Sequence, residues 1–195
     1  MVLTMRPDSK LYQVFMSSTF EDLKNERELM AKSLLNSDFI PAGMEFFGAI
    51  DLNQKACIEK VIGESDYYLV VSAGRYGSIA YSDVSYTELE YRYAVDLGIP
   101  VCALIHSDLD NIPRGATERD PARAKKLIEF QAQLSSGRIV AYWSSPQELV
   151  AKAIIALNKA RHLFPREGWV RANQMQKSEV GELGTKEGLS YTDRT

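Results

Sequence analysis

DYYLVVSAG, Asp66 to Gly74, is apolar at consecutive positions rather than at alternate ones. A strand with one wet face alternates, whereas a strand covered by helices on both faces need not, so this run reads as the middle of a parallel sheet. The fold class follows from what flanks it, because parallel neighbours need crossover helices between them.

Upstream, YQVFMSS (Tyr12 to Ser18) is a β-rich run that leads into a helical pattern with Phe20, Leu23, Met30 and Leu34 on one face. Ser18 and Glu21 have capping-box spacing and predict the start of that helix. DFIPAGMEFF then reads as a second strand with Pro41 near its start, and Asp51 to Glu64 as a second helix. Downstream of the central run, Ser85 and Glu88 form another capping-box signature, and the helix they open reaches about Leu97 before Gly98 and Pro100. IPVCALIH is the fourth strand. The polar segment Ser107 to Arg119 is too long for an ordinary connection and reads as a covering loop or insertion. Asp120 and Pro121 open a further helix, Arg138 to Trp143 is a short fifth strand, and Ser145, Pro146 and Glu148 start a last helix that ends near His162.

Five strands alternating with helices predict an α/β three-layer sandwich with right-handed crossovers, and flavodoxin-like order 2-1-3-4-5 is the common solution at this size. Ligands of such sheets bind at the carboxyl ends of the strands, where the chain reverses direction between strands one and three. The predicted boundaries are an N-terminal extension over 1–10, one domain over 11–173 and a flexible polar tail over 174–195.

Composition narrows the function. The 195 residues are 45% hydrophobic, enough for one core. Lys plus Arg number 23 against 26 Asp plus Glu, a net charge of -3, which leaves no electrostatic footprint for nucleic acid or anionic lipid. The start, MVLTMRPDSK, has no signal-peptide core, and no run approaches the roughly 20 apolar residues of a membrane span, so a cytoplasmic protein is expected. Cys57 and Cys102 read as reduced core residues. His106 and His162 join no ligand cluster, so no metal site is expected. Trp143 and Trp169 read as packing residues.

One residue does not fit its helix. On a helical wheel Tyr86, Leu89, Tyr93 and Leu97 form an apolar stripe, and Glu90 falls inside it. A buried carboxylate needs a partner or a polar cavity. Either Glu90 pairs with Arg75 or Arg92 as a structural ion pair, or it faces the crevice as a functional acid. Glu88 is expected to point away and serve the cap.

The loops beside the crevice supply further candidates. Ser17, Ser18, Thr19 and Phe20 end strand one and open a helix, where hydroxyls and free N–H groups could receive phosphate or ribose oxygens, or could simply cap. Gly74 closes strand three. Arg75, Tyr76 and Gly77 follow it, as ligand contacts or as an ordinary surface loop. Glu45, at the end of strand two, could meet a ribose hydroxyl or be a plain exposed acid. Glu21, Asp22, Glu26 and Glu28 read as a solvated helix face.

The blocks VFMSSTFEDLKNERELM, GMEFF, DYYLVVSAGRYGSI, SYTELEYRYAVDLGIPV and GWVRAN, in this order and spacing, resemble the family catalogued as domain of unknown function 4062. That family is similar to Toll/interleukin-receptor (TIR) domains and to nucleoside deoxyribosyltransferases. The acidic residue and T-x-x-E-x-G-Y-A pattern of the second group is echoed by Asp83, Thr87, Glu90, Tyr93 and Ala94, with Arg92 in place of the pattern's glycine and Ser85 where its Gly precedes the Thr. The resemblance implies that Glu90 is the catalytic acid.

It further implies a TIR-like enzyme that cleaves the nicotinamide–ribose bond of NAD as a hydrolase or cyclase, in bacterial antiphage defence. NAD would be a substrate, with no bound cofactor, and the protein would work as a homo-oligomer or with a heteromeric partner. Two other readings stand beside this one. The chain carries no P-loop of its own, and a non-catalytic signalling module working with an NTPase partner fits that. A nucleoside or nucleotide N-glycosidase, or a deoxyribosyltransferase-like enzyme, fits the second resemblance.

Overall fold

The computed structural model describes residues 10–43, 54–80, 83–137 and 139–170. Within them the chain runs β1 (Tyr12–Ser18), α1 (Lys24–Leu35), β2 (Phe39–Ala42), α2 (Gln54–Gly63), β3 (Tyr67–Ser72), α3 (Tyr86–Asp96), β4 (Val101–His106), α4 (Pro121–Ser135), β5 (Ile139–Trp143) and α5 (Pro146–Leu163). The five strands form one parallel sheet in the order β2-β1-β3-β4-β5. The expected α/β sandwich and its strand order are what the chain adopts.

Strand alternation sorts the core into two layers. Val14 and Met16 of β1 and Tyr67, Leu69 and Val71 of β3 face α1 and α5, where they join Met30, Leu34, Leu149 and Leu157. Phe15, Tyr68 and Val70 face the opposite way, toward α2, α3 and α4, and pack with Ile58, Ile62, Tyr91, Ala94 and Phe130. β3 is buried at all six positions, as its unbroken apolar run requires. Phe15 and Tyr68, in register on neighbouring strands, stack with ring centres 5.7 Å apart. Each is fully buried, worth about 1.5–3 kcal/mol for a side chain of this size.

Several local expectations are corrected. The Ser18–Glu21 capping box does not form: α1 starts at Lys24, its N-cap Leu23 offers no side-chain cap, and the Ser18 hydroxyl is engaged by Arg27 at 2.7 Å. Phe20 lies before the helix and is 57% exposed, so it leaves the α1 stripe to Leu23, Met30 and Leu34. Pro41 sits inside β2 rather than near its start; β2 is an edge strand, where a missing N–H costs no ladder bond on the open side. The later part of the expected second strand, the start of the second helix and the 174–195 tail lie outside the described residues.

The other caps hold. Ser85 accepts from the Glu88 N–H at 3.2 Å, Asp120 from Ala122 and Arg123, and Ser145 from Glu148. Each satisfies a donor that the first helical turn leaves without an intrahelical partner. Cys57 and Cys102 are free thiols in the core. Trp143 is buried, but Trp169 is 53% exposed and contributes backbone rather than ring packing, pairing with Leu11 at 3.0 and 2.7 Å.

Candidate functional site

The face that α3 turns to the sheet differs from the expected stripe. Its buried residues are Thr87, Glu88, Glu90, Tyr91 and Ala94. Tyr86, Leu89 and Tyr93 instead look sideways, lining a groove with Ile58 of α2. The small Thr87 and Ala94 share this face with Tyr91, which packs into the core. Glu90 lies on the same buried face, at 8% exposure.

Neither arginine proposed as its partner takes it. Arg92 pairs with Glu88, and Arg75 pairs with Glu21 and donates to the Gly115 carbonyl at 2.7 Å. The Glu90 carboxylate instead accepts a hydrogen bond from Ser17 Oγ at 2.5 Å, across 73 positions of sequence. Glu90 forms part of the wall of a crevice of about 360 Å³ at the carboxyl ends of β1 and β3.

The crevice gathers Ser18, Thr19 and Phe20 from the end of β1, Arg75 and Gly77 from beyond β3, and Glu90 from α3. Ser17 stands behind the Glu90 wall at 2% exposure rather than in the opening. Gly77 has φ +95°, and a Cβ there would come within 2.9 Å of Thr19, so its lack of a side chain keeps the two loops together.

Two candidates are directed elsewhere. At Gly74 a Cβ would come within 2.3 Å of the Ala116 carbonyl, and the Gly74 carbonyl accepts from Glu118 N–H at 2.6 Å. Its role is to seat the segment after β4, which adds Glu118 to the crevice lining; Arg123 follows from the first turn of α4. Tyr76 is 2% exposed, and its hydroxyl donates to Glu88 at 2.6 Å. Glu88 is therefore buried, not turned away. The Ser85 N–H, which a capping box would give to that glutamate, goes to the Tyr76 oxygen at 3.3 Å. Burial, then the Glu88 hydrogen bond, pushes the Tyr76 phenol up and keeps it a donor. Glu45 lies outside the described residues.

Asp83 does not join Glu90. It takes positive φ, 63°, and pairs its exposed carboxylate with Lys126 on a second cleft beside Glu88 and Arg92. Asp22 is not on a solvated face: both its oxygens are buried without a hydrogen-bond partner, as are Thr19 Oγ1 and Arg75 Nε nearby. Burial pushes the Asp22 carboxyl up, against smaller opposing pulls from Thr19 and Arg75. Among the described residues no group of three or more His, Cys, Asp or Glu is placed to hold a metal ion.

Tyr86, read only as part of an apolar stripe, and Thr87, named only within the deoxyribosyltransferase-like pattern, line the crevice beside Glu90. They stand four and three positions before it, the helical spacing that shares a face. Sequence reasoning missed Tyr68 beneath the site, which an unbroken apolar strand hides, and Arg123, whose place depends on how the covering segment folds back.

Residues 13–158 match the family model described as Domain of unknown function (DUF4062). The chain belongs to this family. The DUF4062 match runs from β1 into α5 and so contains every described residue of the crevice. No curated protein matches the chain. Among solved structures, the Clostridium botulinum CMP N-glycosidase BcmB aligns over 72% of this chain and 95% of its own at 15% identity, TM-score 0.43. The TIR domains of the activated Roq1 resistosome, which recognises the pathogen effector XopQ, align over 88% and 99% at 16% identity, TM-score 0.43. No helix among the described residues is long and apolar enough to cross a membrane.

Proposed function

We propose that this DUF4062 protein cleaves the N-glycosidic bond between nicotinamide and ribose in NAD, with Glu90 as the catalytic carboxylate. The observation that carries the reading is a buried carboxylate in the wall of an open crevice at the sheet's reversal point, accepting a hydrogen bond from the Ser17 hydroxyl. Brought to the crevice, the C1′–N bond breaks with its electron pair going to the ring nitrogen, so nicotinamide departs neutral and needs no proton. What remains is positive charge spread over C1′ and the ring oxygen of ribose. A carboxylate fixed beside it stabilises that charge as it develops, so one acid suffices. Water adding to C1′ and losing a proton to solvent gives ADP-ribose; attack by an atom of the same molecule gives a cyclic product.

Arg75 and Arg123 provide positive charge for the diphosphate, and Phe20 and Tyr86 offer aromatic faces at the same opening. Assembly into an oligomer and a place in antiphage defence belong to the same reading. Purified protein is incubated with NAD over a range of protein concentrations, and nicotinamide release is followed by chromatography. Turnover is expected, with specific activity rising as the protein assembles, and Glu90→Gln is expected to lower it by about a hundredfold or more. Unchanged turnover in Glu90→Gln, or base release from nucleosides and nucleotides while NAD stays intact, overturns the reading.

A further inference from the structure

Both arginines of the crevice already face acids. Arg75 pairs with Glu21, and Arg123 stands 3.8 Å from Glu118 and 3.6 Å from Asp120. Among the described residues the charged lining consists of Arg75, Arg123, Glu21, Glu90 and Glu118, two cations against three acids. A phosphate entering this opening has to displace a carboxylate before it meets a cation.

The acids facing the two arginines differ in how firmly they are held. The Glu118 side chain is 11% exposed and accepts from the Arg119 and Asp120 N–H groups at 3.1 and 3.4 Å. The Glu21 side chain is 77% exposed, and a surface ion pair of this kind is weak because water competes for both charges. Arg75 does not depend on Glu21 for its orientation. One terminal nitrogen donates to the Gly115 carbonyl at 2.7 Å, and Nε has no hydrogen-bond partner to give up among the described residues.

We infer that Glu21 is a specificity-determining residue, a built-in competitor whose carboxylate holds the place on Arg75 that an anionic group of the ligand takes. The inference rests on the crevice being the diphosphate site of the proposed reaction. Carboxylate and phosphate oxygens meet a guanidinium through the same N–H donors, so one can replace the other. Glu21 then swings into water, where its charge is well solvated. A ligand with no anionic group has nothing to exchange and leaves the pair closed, so Arg75 favours phosphate-bearing nucleotides over free nucleosides.

Glu21→Gln, Arg75→Ala and Glu28→Gln are compared in the full-length protein by calorimetric titration with inorganic pyrophosphate, ADP-ribose and adenosine, and by steady-state kinetics with NAD. Glu28→Gln removes the same charge from an exposed position of α1 away from the crevice. Glu21→Gln is expected to tighten pyrophosphate and ADP-ribose about threefold, to lower the KM for NAD by a similar factor and to leave adenosine unaffected. The gain shrinks at high salt, which screens the pair. It also shrinks when Arg75→Ala is added, whereas Arg75→Ala alone weakens both anionic ligands about tenfold.

Pyrophosphate binding that weakens or stays the same in Glu21→Gln overturns the inference, as does an equal gain in Glu28→Gln or no binding to either protein. If anions bind more tightly to Glu21→Gln but NAD is never cleaved, the competitor stands and the catalytic reading fails. If Glu90→Gln abolishes NAD cleavage while Glu21→Gln changes neither affinity nor KM, the competitor is overturned and the catalytic reading survives.

Discussion

At the scale of single residues the site depends on parity. Ser17 and Ser18 are adjacent and chemically identical, yet one holds Glu90 and the other meets Arg27 on the opposite layer. Ser17 and Ser18 read alike in the sequence, as crevice hydroxyls or caps, and alternation along β1 separates them, because a strand places i and i+2 together. The Asp22 environment was not legible: its neighbours Glu21, Glu26 and Glu28 are ordinary helix acids, and only the delayed start of α1 buries its oxygens. Its raised pKa means the folded protein binds that proton more tightly than the unfolded chain does. Stability from this group is complete below the ordinary value of 3.8 and is lost as pH rises through the folded value. Asp22→Asn should therefore raise Tm at pH 8 by roughly 2–4 °C, about 1 kcal/mol, and give no gain at pH 3. A fall in Tm at pH 8 in thermal melts would mean that attraction to Arg75 outweighs desolvation.

At the scale of elements, helix starts marked by Ser85, Asp120 and Ser145 were read correctly because each cap is local. The face of α3 was not, since two sets of positions, one on 86, 89, 93 and 97 and the other on 87, 90, 91 and 94, are both spaced for a helix and only the first is apolar throughout. The choice between them is made by close approach to β1 and β3, a tertiary effect that no periodicity contains. The segment after β4 shows the same limit. Its length predicted a cover, but its seat on Gly74 depends on a backbone contact 42 residues away, with the Ala116 carbonyl. Gly74→Ala should cost about 1–3 kcal/mol, because the obstruction is backbone and cannot rotate aside. Hydrogen exchange at the Glu118 amide should accelerate in the same variant, more than exchange within β3. Equal protection in both proteins would show that the segment is held by Arg75 alone.

At the scale of the molecule, the two-layer core makes the sheet the common boundary of both halves. Cys102 lies fully buried in the α1/α5 layer, and burial pushes its thiol up to about 12. In a Cys57→Ser background, labelling of Cys102 by a thiol reagent at pH 8 is expected to follow global unfolding, with the rate set by denaturant and not by reagent concentration. Labelling that outruns loss of circular dichroism would show a layer opening by itself. The strand order also fixes when the crevice can exist. Ser17 belongs to the first strand and Glu90 to the helix after the third, 73 positions later. A chain leaving the ribosome builds the holder before it receives the part to be held. The Ser17–Glu90 hydrogen bond can therefore form only in the step that docks α3, so the carboxylate takes its orientation with completion of the fold.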